Sequence, residues 1–271
     1  MTRSKDKRDA YYRRAKESGY RARSAFKLIQ LDEEFGLFAG VHRVLDLCAA
    51  PGGWSQVAAE RLAQVSAEGL SGCRIIAVDL QEIAPIEGVT RVQGDITHPA
   101  VLQHIETLVA PEQVELVLSD GAPDVTGMHD MDEYVQHELV RAALTVCGAL
   151  LKAGGTLVAK IFRGPEVALL YAQLRSLFGE VYVAKPRASR NSSTEAFVVC
   201  RQFRPDAVPA RDALVLPPFV ACGDLNDSNA DMNYVSEPGN SYRVVVQPPI
   251  DPPYQEAIRR RSGRAAEAGD E

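Results

Sequence analysis

Continuous apolar runs typical of buried strands alternate with helical patterns between residues 43 and 203, and this alternation most constrains the fold. Because the runs are rich in Val, Ile and Leu at successive positions, they indicate a largely parallel sheet covered by helices on both faces. The sequence therefore predicts an α/β domain built on a seven-stranded, mostly parallel sheet. The predicted strands are 43–48, 74–80, 89–95, 114–120, 155–162, 180–186 and 194–203, and the predicted helices are 22–35, 54–65, 99–109, 132–151 and 165–178.

The connection between the last two predicted strands is too short for a parallel crossover. Only residues 187–193 join them, whereas parallel neighbours need roughly a dozen or more connecting residues. We therefore expect these two strands to be antiparallel. Two local signals suggest helix ends: Ser24 is a candidate N-cap for the first predicted helix, and a turn at Gly154 and Gly155 follows the fourth.

Composition divides the chain into three parts. Residues 1–21 form a basic arm, residues 22–204 carry the strand–helix alternation, and residues 205–271 are rich in proline and polar residues. With 46% hydrophobic and 24% charged residues overall, the middle part can bury a core of ordinary size. The last part is predicted to be an irregular, partly disordered extension.

The net charge of -6 conceals a strongly basic start. Residues 1–27 contain ten Lys or Arg against three acidic residues, a net charge of +7, which leaves -13 on the rest of the chain. Clustered basic residues with interleaved tyrosines are typical of nucleic-acid contacts. We expect Arg21 and Arg23 to contact phosphate; the alternative is a solvated arm without a ligand.

Cysteine usage and hydropathy bear on the compartment. The five cysteines form no CxxC pair and lack histidines at ligand spacing, so reduced thiols are expected and a metal site is not. No apolar run reaches the roughly 18 residues that a membrane helix needs. The first residues show no apolar secretory segment, and Asp6, Asp9 and Glu17 disfavour a mitochondrial transit peptide. These features predict a cytoplasmic protein without membrane contact.

Small residues and carboxylates follow the predicted strands at the edge where α/β sheets bind ligands. Glycines after the first strand let the backbone approach a ligand, and the next helix begins there with free N–H groups. A carboxylate ending the second strand can bind a ribose diol, and one after the third can hold an adenine amino group. The candidate contacts are Gly52, Gly53, Trp54, Asp79, Asp95 and Asp120.

The predicted ligand is a cation rather than a dinucleotide. A dinucleotide needs GxGxxG after the first strand, and DLCAAPGGWSQ lacks it. Carboxylates at the ends of three successive strands favour a positively charged ligand, and S-adenosylmethionine carries both a sulfonium and an ammonium group. Any one of these aspartates alone could instead be a turn or cap residue.

Two lysines and two carboxylates suit proton transfer: Lys27, Asp120, Lys160 and Glu195. Lys160 lies in the apolar run LVAKIF, where burial disfavours its charged form while nearby carboxylates favour it. A lysine base could take a proton from a ribose hydroxyl, with Lys27 supporting the developing alkoxide and Glu195 orienting both lysines. The alternative is four unrelated surface or salt-bridge residues.

Together these motifs resemble those of the FtsJ/RrmJ family of RNA ribose 2'-O-methyltransferases, over about residues 1–204. The resemblance implies a Rossmann-like, S-adenosylmethionine-dependent methyltransferase sheet with an antiparallel last strand. It also implies a catalytic tetrad of Lys27, Asp120, Lys160 and Glu195, with Lys160 as proton acceptor, and the six cofactor contacts named above. The matching segments are SKDKRDAYYRRAKESGYRARSAFKL, DLCAAPGGWSQ, AVDLQ, GDIT, SDGAPDVTG, LVAKIFRG and RNSSTEAF.

Within that family the chain is most similar to eukaryotic tRNA enzymes that methylate the anticodon loop. The similarity implies modification of the first loop nucleotide, 32, and the wobble nucleotide, 34. It also implies auxiliary partners, a helical-repeat protein for one site and a WD-repeat protein for the other. The same chemistry on rRNA or an mRNA cap, and a non-catalytic RNA-binding role, are the alternatives. The segments involved are AVDLQEIAPIEGV, DGAPDVTGMHDMDEY, KPRASRNSS, PFVACGDL and PPIDPPYQEA.

Overall fold

The computed structural model describes residues 10–65, 69–123, 129–164, 167–190 and 193–207. Apart from the short 3-10 helix Pro205–Ala207, the predicted C-terminal extension lies outside the described residues, so its disorder stays a prediction. The first nine residues of the basic arm also lie outside them. Within the described part of the chain, no helix has the length and apolar character needed to cross a membrane.

Seven strands form one sheet in the order β3-β2-β1-β4-β5-β7-β6. Neighbours from β3 to β5 pair in parallel, whereas β7 runs antiparallel to both β5 and β6. The predicted mostly parallel sheet and its antiparallel final pair are therefore confirmed. The strands are β1 Arg43–Leu47, β2 Arg74–Asp79, β3 Val89–Gln93, β4 Val114–Ser119, β5 Leu151–Phe162, β6 Phe178–Ala184 and β7 Glu195–Phe203.

The described residues include six α-helices, and five of them were predicted to within three residues at each end. A further 3-10 helix, Gly69–Gly72, precedes β2. The α-helices are α1 Ala10–Glu17, α2 Ala25–Phe35, α3 Gly53–Val65, α4 Pro99–Val109, α5 His129–Leu150 and α6 Val167–Leu177.

Apolar side chains of the strands divide between two core layers. One layer joins Leu45 to Ile105 of α4 and Leu174 of α6, and the other joins Val44 to Leu28 of α2. Successive strand residues point to opposite faces, and both Val44 and Leu45 are fully buried. Burial on both faces explains the continuous apolar runs and places helices on both sides of the sheet.

Helix α1 was not predicted, because its apolar stripe is short. Tyr11 and Ala15, one turn apart, face Phe26 and Ala188 in a small separate cluster. The Tyr11 and Phe26 ring centroids are 5.7 Å apart. Eight residues of the predicted basic arm therefore form a helix packed on the domain, with its basic side chains on the outside.

Two local features differ in detail from their predictions. Ser24 occupies the predicted N-cap position of α2, but its dihedral angles are helical (φ -61°, ψ -22°) and its side chain makes no capping hydrogen bond. Strand β5 begins at Leu151, directly after α5, four residues earlier than expected. Leu151 pairs with Val114 before the register shifts. Gly154, at φ +77°, belongs to this irregular start of the strand rather than to a separate turn.

The ends of β1 and β4 fit together because Gly121 has no side chain. A Cβ at Gly121 would lie 2.9 Å from the Cys48 Sγ, closer than van der Waals contact allows. Cys48 itself has φ +55°, in the left-handed region that glycine tolerates best.

We therefore expect Gly121→Ala to lower the free energy of unfolding by about 1–3 kcal/mol through overpacking. Adding Cys48→Gly should recover most of that loss, because it removes the clashing sulfur and relaxes the left-handed residue. Urea denaturation of both single variants and the double variant measures the coupling. Simple addition of the two single effects would contradict this packing account.

Candidate active site

The carboxyl ends of the strands bring the four predicted catalytic residues together. Strand order reverses between β1 and β4, which opens a crevice at this edge of the sheet. Asp120 directly follows β4, and Lys160 lies near the end of β5. Because β7 is antiparallel to β5, its first residue, Glu195, reaches the same edge and pairs with Phe162. Lys27 comes from the first turn of α2.

Two short ion pairs join these side chains. Lys27 Nζ lies 2.7 Å from Glu195 Oε2, and Lys160 Nζ lies 2.7 Å from Asp120 Oδ1. Lys160 Nζ is also 3.9 Å from Glu195 Oε2, so the pairs form one network. The four side chains are only 9–14% exposed. Two positive and two negative charges thus balance in a place where water screens them weakly.

Asp120 holds Lys160 twice. Besides its contact with the carboxylate, Lys160 Nζ donates to the backbone oxygen of Asp120 at 2.7 Å. One hydrogen on the nitrogen is therefore donated to the Asp120 backbone oxygen, and the ion pair holds the amine close to the Asp120 carboxylate. A position on Nζ that these contacts leave unused carries a further hydrogen in the ammonium form or the lone pair in the neutral amine.

Glu195 anchors the other half of the network. Its Oε2 accepts a hydrogen bond from Lys27 and its Oε1 accepts one from Ser189 Oγ, both at 2.7 Å. Burial alone would raise the pKa of Glu195, but the lysine charges and the hydrogen bonds that it accepts outweigh burial, so this pKa is lowered. Glu195 is therefore ionised at neutral pH and favours positive charge on Lys27, whose Nζ also lies 5.5 Å from the Phe197 ring centroid.

The loop after β1 approaches the surrounding chain closely because Gly52 and Gly53 lack side chains. At Gly52, which has φ +106°, a Cβ would lie 2.7 Å from Ile86 Cδ1. At Gly53 it would lie 3.2 Å from the Cβ of Ala22. Glycine is thus required by internal packing here, and the same close packing fixes the loop beside the crevice.

Trp54 points into the core rather than into the crevice. It is 2% exposed, its Nε1 donates to the backbone oxygen of Ser24 at 2.9 Å, and its ring lies 5.6 Å from that of Phe197. The structure therefore leaves only the backbone of Trp54 available to a ligand. Its side chain ties α3 to the start of the helix that carries Lys27.

Asp79 and Asp95 keep acceptor capacity for a ligand. Asp79 accepts hydrogen bonds from the backbone N–H groups of Ala50 and Gln81 at 2.8 and 2.7 Å. Asp95 is exposed, and hydrogen bonds from the Thr97 hydroxyl and N–H lower its pKa. Since each carboxylate has about four lone-pair sites, both can also accept from hydroxyl or amino groups.

Asp46 belongs to this site although it was not among the predicted contacts. It is fully buried, and Ser55 Oγ donates to its Oδ2 at 2.6 Å. The pKa of Asp46 is raised to about 7, mainly by burial and further by the negative charges of Asp120 and Asp79; the Ser55 hydrogen bond offsets only part of this. Three carboxylates thus create a negative potential suited to a positively charged ligand. Only its position at the end of a strand could have indicated Asp46 from the sequence.

Arg21 and Arg23 fasten the N-terminal segment to the domain. Arg23 donates to the Ala188 backbone oxygen, in the loop between β6 and β7. Their guanidinium groups make internal hydrogen bonds, and the expected contact with phosphate stays a prediction. Arg21 donates at 2.6–3.2 Å to three backbone oxygens in the loops after β1 and β2, those of Pro51, Ala84 and Pro85.

Comparison with known proteins identifies the family. Residues 20–203 match the FtsJ-like methyltransferase family. A tRNA (cytidine(32)/guanosine(34)-2'-O)-methyltransferase of Schizosaccharomyces pombe is 50% identical over 96% of this chain and 98% of that protein. The Homo sapiens protein of the same name is 48% identical over 97% of this chain and 86% of that protein.

Among solved structures, a ribosomal RNA methyltransferase from Plasmodium falciparum superposes with a TM-score of 0.60 and 27% identity, covering 68% of this chain and 98% of that one. The sheet order and the extent of these matches agree with the resemblance seen in the sequence motifs. The chain therefore belongs to the FtsJ-like methyltransferase family.

Proposed function

We propose that this protein transfers a methyl group from S-adenosylmethionine to the ribose 2'-hydroxyls of nucleotides 32 and 34 in the tRNA anticodon loop. The observation that carries the proposal is the enclosed Lys160–Asp120 pair beside the Lys27–Glu195 pair at the switch point of the sheet. Such a network offers a base and stabilising charges to a weakly acidic hydroxyl. The Schizosaccharomyces pombe and Homo sapiens relatives, which align with nearly the whole chain, carry names that specify these two nucleotides.

The crevice fits S-adenosylmethionine in charge and in the chemistry of its side chains. When bound, this cofactor supplies an electrophilic methyl group on a sulfonium. The buried cluster around Asp46 offsets the positive charges of such a ligand. Leu80, directly after β2, is 67% exposed and offers an apolar face to adenine. The proposed cofactor contacts are Gly52, Gly53, the backbone of Trp54, Asp79 for the ribose hydroxyls, Asp95 for the adenine amino group, and Asp120.

Lys160 is the proton acceptor in this proposal. A neutral amine has two N–H bonds and one lone pair. One N–H bond of Lys160 is donated to the Asp120 backbone oxygen, and the Asp120 carboxylate lies 2.7 Å from the nitrogen. The lone pair is then left for the 2'-hydroxyl. Lys160 would take the hydroxyl proton as the ribose oxygen bonds to the methyl carbon and the methyl carbon–sulfur bond breaks, releasing S-adenosylhomocysteine. Lys160 would then be the ammonium that the Asp120 carboxylate stabilises.

Lys27 and Glu195 hold the hydroxyl in line. Lys27 stays charged beside Glu195 and stabilises negative charge that develops on the ribose oxygen. Glu195 contacts both lysines and keeps their nitrogens at fixed positions. Much of the acceleration then comes from positioning, because a well-oriented hydroxyl and methyl group need little further activation.

Exposed basic side chains beside the tetrad would bind the tRNA backbone. They lie on two elements that touch each other through Ala15 and Ala188. The loop between β6 and β7 also carries Ser189, which donates to Glu195, so an RNA-facing loop is joined directly to the tetrad. The side chains concerned are Arg13, Arg14 and Lys16 on α1, and Lys185 and Arg187 on the loop.

The extent of similarity favours tRNA over ribosomal RNA as substrate. The two relatives named for tRNA are 48–50% identical over 96–97% of this chain, whereas a ribosomal RNA large subunit methyltransferase E of Methanothrix thermoacetophila is 41% identical over 74% of it. An intact tetrad argues against a non-catalytic role. A helical-repeat partner for one nucleotide, a WD-repeat partner for the other and a cytoplasmic location complete the proposal.

Lys160→Ala should slow tRNA methylation by about 10²–10⁴-fold, because it removes the general base. Cofactor affinity should change little, because Lys160 is proposed to contact the ribose hydroxyl and is not one of the proposed cofactor contacts. Transfer of radiolabelled methyl groups to tRNA measures the rate, and calorimetry measures cofactor binding. Lys152→Ala, an exposed lysine of the same strand, is the matched control and should behave as wild type. Undiminished turnover by Lys160→Ala would remove the base assignment.

Asp79→Ala should weaken S-adenosylmethionine binding by about 10- to 100-fold, because it removes charged hydrogen bonds to the ribose hydroxyls. The control is Glu82→Ala, which deletes a nearby exposed carboxylate without altering the strand end. Equilibrium dialysis or calorimetry gives the dissociation constants. Equal affinity in the two variants would refute the ribose-binding role of Asp79.

A further inference from the structure

Gln136 of α5 is a buried polar residue outside both the tetrad and the cofactor crevice. It is 1% exposed, and its Nε2 donates to the backbone oxygens of Gly121 at 3.1 Å and Lys160 at 2.8 Å. Because both partners are acceptors, the amide must present its NH₂ group to them. One side chain therefore bridges the residue after Asp120 and the backbone of Lys160 itself.

This bridge lies where pairing between β4 and β5 stops. The last pair of the parallel ladder is Ser119 with Ala159, so Asp120 and Lys160 are one step beyond it. Past that point, backbone hydrogen bonds between the two strands no longer set their spacing. The Gln136 amide joins them from the helix side, and the Lys160 amine joins them through its contacts with Asp120.

Gln136 also interrupts an otherwise apolar helix face. The next buried residues of α5 are Val140, Ala143, Leu144 and Cys147. Within the described part of the chain, the buried Gln136 Oε1 has no hydrogen-bond partner. A buried acceptor in that state costs free energy, so an apolar residue would serve the packing of α5 better. Glutamine at this position is therefore explained by the two carbonyls that it holds.

We propose that Gln136 is a positioning residue for Lys160. By tying the Lys160 carbonyl to Gly121, it keeps the β5 backbone at a fixed distance from Asp120. The amine then keeps its hydrogen bond to the Asp120 backbone oxygen and its ion pair with the Asp120 carboxylate, and faces the ribose hydroxyl. The inference rests on the proposed function, in which Lys160 is the base. A displacement of about 1 Å at a catalytic group can cost about 10²-fold in rate.

Gln136→Met tests this role, because methionine keeps the side-chain length and removes the amide. The kcat of tRNA methylation should fall by about 10- to 100-fold, with the dissociation constant of S-adenosylmethionine little changed. The pH–rate profile should also change, because the contacts of the proposed base with the Asp120 backbone oxygen and carboxylate are altered. The charged groups around Lys160 are Asp120 and Glu195, with Lys27 beyond Glu195.

Two further variants separate positioning from folding. Val140→Ala removes buried packing one turn along α5 without touching either carbonyl, so it should lower Tm and leave the pH–rate profile in place. Gln136→Glu preserves the side-chain shape and replaces the methionine variant in the test if that variant does not fold. An ionised carboxylate cannot donate hydrogen bonds to the two carbonyls. The activity of Gln136→Glu relative to wild type should therefore fall as pH rises and the glutamate loses its proton.

Wild-type kcat and an unshifted pH–rate profile in a folded Gln136 variant would overturn the inference and leave the proposed function standing. The same profile shift in Val140→Ala would also overturn it, because the effect would then be a general consequence of loosening α5. Absence of ribose methylation of tRNA by the wild-type protein would overturn the proposed function and the inference with it.

Discussion

The contact between the Lys160 amine and Asp120 is the constraint on which the rest of the site depends. Both residues stand one step beyond the last β4–β5 pair, so the register of two parallel strands sets their separation. A slip of one residue would send one of the side chains to the opposite face of the sheet. The antiparallel β7 then brings Glu195 to the same edge, and α2, held to α3 by Trp54, brings Lys27.

Negatively and positively charged side chains lie in two adjoining regions, the crevice and the outer surface beside it. The crevice holds buried and half-buried carboxylates, which suit a cationic cofactor; burial, and further the charges of Asp120 and Asp79, raise the pKa of Asp46 to about 7. The outer surface beside it carries the exposed basic residues of α1 and of the β6–β7 loop, which suit a polyanion. Arg21 bonds the N-terminal segment to the backbone of the loops that follow β1 and β2. The loop after β1 and the proposed RNA surface are thus parts of one connected structure.

The sequence predicted what depends on local pattern. Strand order along the chain, five helices and the antiparallel final pair follow from apolar periodicity and loop length, and the tetrad was found from its motifs. Contacts between distant segments could not be predicted in this way. The Arg21 side chain bonds residues 63 and 64 positions away, so its charge alone suggested phosphate. The Trp54 ring and the Gln136 amide face inward because of tertiary contacts, which the sequence alone does not show. Helix α1 has too little apolar surface to be recognised without its partner Phe26.

The most direct test of the account is ribose-methylation mapping of RNA from cells that lack their own enzyme of this kind and express either this protein or its Lys160→Ala variant. The account predicts 2'-O-methyl groups at nucleotides 32 and 34 of tRNA with the wild-type protein and none at these positions with the variant. Methyl groups that appear in ribosomal RNA or mRNA caps instead, or that persist with the variant, would contradict it.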